Sequence, residues 1–256
     1  MGRGAQLTST NQSKKGKTTR MINCAHRGAS ALAPENTLAA LQLAAKLGAT
    51  MAEIDLQQTA DDELALLHDD DLDRTSNGSG PLWDKSLKEL QSLDMGSWFS
   101  EKFQREQIPT LEDVINAMDG QLKLNLELKL HGHERDLEQL VVKKIRELNC
   151  AQWCLLTSFD HAIIDRLLDL APELKAGYIV GKGGWHDGLL ESRVAVLSLE
   201  KTLVTAHRVQ RAHASGKEIH AWTVNQENEM KQLQEAGVDA FISNHPDLVA
   251  AFLNKS

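Results

Sequence analysis

Nowhere in its 256 residues does the chain reach the roughly 18 to 20 consecutive apolar residues that a membrane-spanning helix requires, so no membrane span is expected. Residues 1–20 lack both an acidic residue and an apolar core segment. With Arg3, Lys14, Lys15, Lys17 and Arg20 they read as a flexible basic N-terminal arm and not as a secretory signal. Cysteine is scarce and odd in number: Cys24, Cys150 and Cys154 each lie in or beside an apolar run. That excludes a disulfide framework and predicts buried free thiols and a cytoplasmic location. A basic surplus is absent too. The formal net charge of −8 argues against nucleic acid as a partner. It leaves room for a small anionic substrate, since one metal ion and two basic side chains can reverse the local field. The turn His26-Arg27-Gly28-Ala29-Ser30 carries no dinucleotide-binding glycine fingerprint, and Gly181-Lys182-Gly183-Gly184 lacks the P-loop spacing and reads as a turn.

What is present is the composition of a folded domain, with 41% hydrophobic and 25% charged residues. From Met21 onward, short β-branched apolar runs alternate with amphipathic stretches, the pattern of repeated βα units. Strands are predicted at 22–26, 51–57, 122–128, 153–157, 174–180, 194–199, 218–224 and 239–242. Helices are predicted near 36–47, 133–148, 160–170, 202–214, 226–236 and 246–254. Eight such strands imply an α/β fold of the TIM type, a (β/α)8 barrel occupying residues 21–256 as one domain. Residues 58–121 are too long for a βα loop of about 2 to 6 residues. A small inserted cap after the second strand, at about 70–110, is therefore expected. Trp83, Trp98, Phe99 and Phe103 offer it apolar surface, and its position places it on the C-terminal face where barrel active sites lie.

Alternation along a strand points Glu53 and Asp55 of Met51-Ala52-Glu53-Ile54-Asp55-Leu56 to one side. Asn125, Glu127 and Lys129 share one face of a later strand, while Leu122, Leu124, Leu126 and Leu128 face the helices. Carboxylates on inner strand faces are costly to bury as bare charges, so they call for a cation or for basic partners such as Arg27 and Lys129. A carboxylate set without Cys or His is a hard oxygen site, suited to Mg²⁺ or Ca²⁺. His26 ends the first strand, and His68 ends the apolar run Leu64-Ala65-Leu66-Leu67. Two imidazoles of ordinary pKa can activate a nucleophile and protonate an alkoxide near neutrality.

Taken jointly, the motifs resemble the glycerophosphodiester phosphodiesterase family over roughly residues 21–254. His26-Arg27-Gly28 with Pro34-Glu35-Asn36-Thr37 is similar to its opening signature, and Glu53-Ile54-Asp55 with Thr59 and Asp61 to its second. His68-Asp69, Leu72, Arg74-Thr75 and Gly78 continue the second signature. Glu127-Leu128-Lys129, Ser158-Phe159, Trp222-Thr223-Val224-Asn225 and Gly237-Val238-Asp239 follow in the family's order. The resemblance implies a TIM-type barrel with an insertion after the second strand. It further implies one divalent ion on Glu53, Asp55 and Glu127, an acid/base pair of His26 and His68, and phosphate binding by Arg27 and Lys129. The implied activity is hydrolysis of glycerophosphodiesters, such as glycerophosphocholine or glycerophosphoethanolamine, to sn-glycerol 3-phosphate and an alcohol.

Two stretches depart from the family pattern. Asp61-Asp62-Glu63 stands where Asp-Gly is usual, which bears on the turn geometry, and Ser243-Asn244-His245-Pro246 replaces the commoner Thr-Asp-x-Pro. Neither is expected to touch the core chemistry. His131 and His133 are read as a solvated loop, His207 and His213 as surface residues, and His161 as part of a helix start. Phe159 and Trp222 either wall the substrate pocket or pack in the core, and Trp185 and His186 follow a glycine loop able to close over substrate. Two alternatives accompany the main reading: a lysophospholipase D-like hydrolase of longer lipids, favoured by the cap aromatics, and a non-catalytic barrel, which would be expected to have lost one of the five proposed catalytic and metal residues.

Overall fold

A computed structural model describes residues 21–255; the basic arm expected at 1–20 lies outside the described residues. Among the described residues nine strands form, eight of them parallel and closed on themselves. The barrel strands are β1 (Ile22–His26), β2 (Met51–Gln58), β4 (Lys123–Leu128), β5 (Cys154–Ser158), β6 (Lys175–Val180), β7 (Val196–Glu200), β8 (Glu218–Trp222) and β9 (Ala240–Ser243). Each pairs with the next, and β1 closes the ring by pairing with both β9 and β2. The ninth, β3 (Leu64–Leu66), is a short antiparallel partner of β2. The expected strands all form, with ends within a few residues of those read from the sequence.

The helices are α1 (Leu38–Lys46), α2 (Leu87–Leu90), α3 (Leu111–Met118), α4 (Leu137–Glu147), α5 (His161–Leu170), α6 (Ala206–Ala214), α7 (Glu227–Ala236) and α8 (Pro246–Leu253). The sequence reading included neither α2 nor α3, and it began α4 and α6 four residues early, at 133 and 202. α3 was not expected as a barrel helix. It begins at a capping box in which Thr110 and Asp113 bond reciprocally, a signal hidden by treating 58–121 as one insertion. α4 starts at 137 and not at 133, because Glu134 accepts from the backbone N–H of His131 and Gly132 and Arg135 N–H donates to Gln58, which holds 131–135 out of helix.

Strand alternation then fills the layers as expected. Ala52, Ile54, Leu56, Leu124, Leu126 and Leu128 are buried in the layer between barrel and helices, beside Val114, Val141 and Ile145. Burying each such aliphatic side chain is worth about 1.5–3 kcal/mol, which makes the register of β2 and β4 hard to slip. Between β2 and α3 the chain builds a second, smaller core from Ala65, Leu67, Leu72, Leu82, Leu90, Met95 and Ile108. Aliphatic residues and Met95 carry this core, and the aromatics expected to do so are not among them: Trp98 and Phe99 meet edge to face at 5.6 Å, and Trp98 stays 39% exposed. Asp94 ties the same segment together, accepting from the backbone N–H of Gly96, Ser97 and Arg105. The three cysteines are buried and free, as expected. Among the described residues no helix is long and apolar enough to cross a membrane.

Candidate active site

The loop from β1 to α1 sets the first part of the site. Arg27 and Asn36 both adopt left-handed backbone conformations, φ 57° and 56°, and Asn36 N–H donates to Arg27 O at 3.0 Å. Strain of this kind persists where the surrounding structure fixes it. Gly28 between them has φ 82°, and a Cβ there would lie 2.7 Å from the Ala40 carbonyl carbon, so only glycine lets α1 come this close. The Asp61-Asp62 departure is absorbed in the same way. Asp62 takes φ 61°, the conformation glycine would favour, and its carboxylate accepts from Gln58 and pairs with Arg135 at 2.6 Å.

Sheet register brings the carboxylates together. Glu53 lies opposite Asn125 and Asp55 opposite Glu127 across β2 and β4, while His26 lies opposite Glu53 across β1 and β2. One oxygen from each of Glu53, Asp55 and Glu127 falls within 4.8 Å of the others, and all three residues are buried. Lys129 Nζ reaches Glu127 at 2.5 Å and Asp55 at 3.1 Å, and Arg27 Nε reaches Asp55 at 3.3 Å. Asn36 holds Asp55 from the side, donating from Nδ2 to Oδ2 at 2.8 Å and accepting Asp55 N–H at 3.2 Å.

Two cations do not offset three buried carboxylates. Burial, then Asp55 and Glu127, push the Glu53 carboxyl well above the usual range. Burial and Asp55 lift Glu127 to about 7 against the pull of Lys129. Asp55 also feels burial, but Lys129 and Arg27 overcome it and hold it at about 2. Glu53 Oε1 is buried with no hydrogen-bond partner. An orphaned carboxylate oxygen, a deficit of positive charge and an all-oxygen donor set fit a hard divalent cation, so the triad is able to hold one.

The two histidines face the same cavity, of about 150 Å³, lined also by Arg27, Glu53, Glu127 and Lys129. Both rings are gripped at Nδ1, which leaves Nε2 for the cavity. His26 Nδ1 meets Asn244 Oδ1 at 2.6 Å, and His68 Nδ1 meets Asp69 Oδ1 at 2.6 Å. Burial and then the charge of Arg27 lower His26 to about 4. All seven residues singled out in the sequence are thus near one another at the C-terminal end of the barrel.

Asn244 corrects one expectation. The departure from Thr-Asp-x-Pro was expected to leave the core chemistry alone, yet its second residue is the direct partner of His26. Glu35 and Arg74 were also missed as site residues: Arg27 donates to Glu35 at 2.9 Å, and Arg74 bridges Glu35 to Asp69. Both stand inside motif stretches, the one signal that could have found them. His131 and His133 are not solvated; they stack with Trp83 at 5.5 and 4.0 Å and so dock the inserted segment on the loop after β4. His207 is exposed and His213 largely so, and His161 opens α5, as expected. Phe159 and Trp222 do line the cavity and meet edge to face at 5.6 Å, whereas Trp83, Trp98 and Phe99 are not among its lining residues.

An oxygen-donor triad able to hold a divalent cation, beside two imidazoles and two fixed cations at the C-terminal end of a parallel barrel, has the makeup of a barrel hydrolase for phosphate esters. The particular family follows from comparison: the chain belongs to the glycerophosphoryl diester phosphodiesterase family, whose model matches residues 26–248. YhdW of Bacillus subtilis is 36% identical over 237 residues, covering 90% of this chain and 96% of that protein. The glycerophosphodiester phosphodiesterase of Caldanaerobacter subterraneus is 34% identical over 241 residues, covering 90% and 97%. In structure, an Oleispira antarctica phosphodiesterase solved with its product sn-glycerol-3-phosphate superimposes with a TM-score of 0.81 at 33% identity, covering 90% of this chain and 96% of that one.

Proposed function

We propose that the protein hydrolyses water-soluble glycerophosphodiesters, such as glycerophosphocholine and glycerophosphoethanolamine, to sn-glycerol 3-phosphate and the free alcohol. The observation that carries this reading is the convergence of Glu53, Glu127, both histidines, Arg27 and Lys129 on one cavity, with an Asp55 oxygen within 4.8 Å of those of the two glutamates. Glu53, Asp55 and Glu127 would hold one Mg²⁺ or Ca²⁺, the hard ions that such a donor set prefers. When bound, the ion supplies charge neutralisation at the non-bridging phosphate oxygens as they gain charge in the transition state. Arg27 and Lys129 do the same from fixed positions, already aligned by Asp55 and Glu127 and needing no reorganisation.

The partners of the two histidines separate their roles. His26 is half-buried with a neutral amide at Nδ1 and Glu53 3.9 Å from Nε2, and it is kept unprotonated at neutral pH, the state a general base needs at Nε2. His68 has a carboxylate at Nδ1, which suits the ring that must give up a proton at Nε2 to the leaving alkoxide. His26 as base and His68 as acid is the assignment this asymmetry supports. The oxygen that loses its proton to His26 belongs either to water or to the neighbouring glycerol hydroxyl, and the second route passes through a cyclic phosphate.

Release of glycerol 3-phosphate from both diesters, measured for the wild type and His26→Ala with and without chelator, tests the reading. Release should require a divalent ion and fall steeply in His26→Ala. Undiminished activity in that variant, or after verified removal of metal, overturns it.

A further inference from the structure

Outside the cavity, on its rim, one guanidinium is bound to two carboxylates at once. Arg74 Nε and Nη2 reach the two oxygens of Asp69 at 2.5 and 3.0 Å, and Nη1 and Nη2 reach the two oxygens of Glu35 at 2.9 and 2.8 Å. Asp69 Oδ1 in turn meets His68 Nδ1, and Glu35 accepts from Arg27. Arg74 itself is not among the residues lining the cavity. From this geometry we propose that Arg74 is a positioning residue for the hydrolysis: anchored by Glu35, it fixes the Asp69 carboxylate and through it the ring of His68. The inference rests on the role given to His68 above.

Exposed ion pairs ordinarily contribute little, because two long side chains must be frozen to make them. Arg74 differs in two respects. Paired, parallel N–H···O bonds from a planar fork set direction as well as distance, which a single ammonium contact cannot. Its two carboxylates also come from different parts of the chain, Glu35 from the β1–α1 loop and Asp69 from the excursion after β2, so each limits the motion of the other. Asp69 is one-third exposed and, without Arg74, free to rotate into water and release the ring. Among the described residues the His68 side chain makes no second hydrogen bond, whereas Arg27 has a further contact with Asp55 at 3.3 Å. The hydrogen bonds from Arg74 are also the leading cause that holds the Asp69 carboxyl far below its usual range, against its partial burial. The loss on removing Arg74 should therefore fall on turnover and not on phosphate binding.

Arg74→Met, Arg74→Lys, Glu35→Gln and Asp69→Asn, made in the full chain, test this by steady-state kinetics and by ¹⁵N NMR of labelled histidine. Arg74→Met should lower kcat by roughly 10- to 100-fold, with KM moving less than about threefold. Arg74→Lys, which restores charge but not the fork, should recover part of the loss, and Glu35→Gln should reproduce part of it. In an Asp69→Asn background Arg74→Met should add little, because both act on the same ring. The His68 Nδ1–H should give a resolved, hydrogen-bonded signal in the wild type and a weakened one, exchanging with water, in Arg74→Met. Wild-type kcat in Arg74→Met, or a lowered kcat with the Nδ1–H signal unchanged, overturns the proposal. A wild type that hydrolyses no diester removes the hydrolase reading instead, and the Nδ1–H signal still decides whether Arg74 fixes the ring.

Discussion

Replacing Asn36 by glycine separates the support of the metal ligands from the ligands themselves. Asn36 is 4% exposed and gives Asp55 two hydrogen bonds, one to the carboxylate and one from the backbone N–H. At φ 56° glycine fits the backbone without strain, so the substitution removes the side chain and little else. A hydrogen bond to a buried charge contributes about 1.5–3 kcal/mol and a neutral one about 0.5–1.5, so the folded state should lose about 2–4.5 kcal/mol. For a chain of this size that corresponds to a melting point lower by roughly 5–15 °C. Asp55, no longer held in place, should bind metal less tightly, with an affinity reduced by about 10- to 100-fold, the usual effect of removing a group that orients a ligand. Thermal unfolding in chelator measures the first effect and calorimetric titration with Mg²⁺ or Ca²⁺ the second. A variant that melts within about 2 °C of the wild type and binds metal within about threefold would refute the claim that Asn36 organises Asp55.

Three further outcomes follow from the same geometry. Gly28→Ala, which forces a Cβ against the Ala40 backbone at a left-handed φ, should cost more than about 2 kcal/mol; an unchanged unfolding midpoint would contradict that clash. Asn244→Asp places a carboxylate against His26, which favours the imidazolium and raises its pKa from about 4, so the acid limb of kcat/KM should move to higher pH; a stationary limb removes His26 from the base role. Backbone N–H groups of Arg105 and Ser97 hold the Asp94 carboxyl well below its usual value near 3.9, so its stabilisation is complete above that value and is lost as pH falls through the lower folded value. Hydrogen exchange of 94–105, corrected for intrinsic rates, should therefore lose protection in acid in the wild type, while Asp94→Asn should show no such acid-dependent step.

The barrel was legible because eight short strand-like runs recur with amphipathic stretches between most of them, and each repeat is a local signal. The inward direction of Glu53, Asp55 and Glu127 was legible for the same reason, since parity along a strand needs no knowledge of the partner strand. Their mutual distance was not, because it depends on the pairing of β2 with β4 across a segment of more than sixty residues. Asn244 escaped notice for a related cause: it meets His26 only because the ring closes β9 onto β1, 218 positions apart in sequence. α3 was obscured by a wrong choice of scale, although its capping box lies in plain residues. The stacking of His131 and His133 on Trp83 could not be read at all, since nothing in a glycine-containing loop sequence says what will cover it.

The seam where β1 meets β9 has a consequence for when the protein can act. His26 comes from the first strand, its partner Asn244 from the residue after the last, and the triad from the two strands that follow β1 around the ring. No fragment that lacks either β1 or residue 244 contains the whole set. During synthesis, a nascent polypeptide would carry its carboxylates long before the residue that orients the base emerges from the ribosome. On the proposed roles, turnover requires the final strand, so its appearance would report closure of the β1–β9 seam, whereas the three carboxylates themselves all lie on β2 and β4.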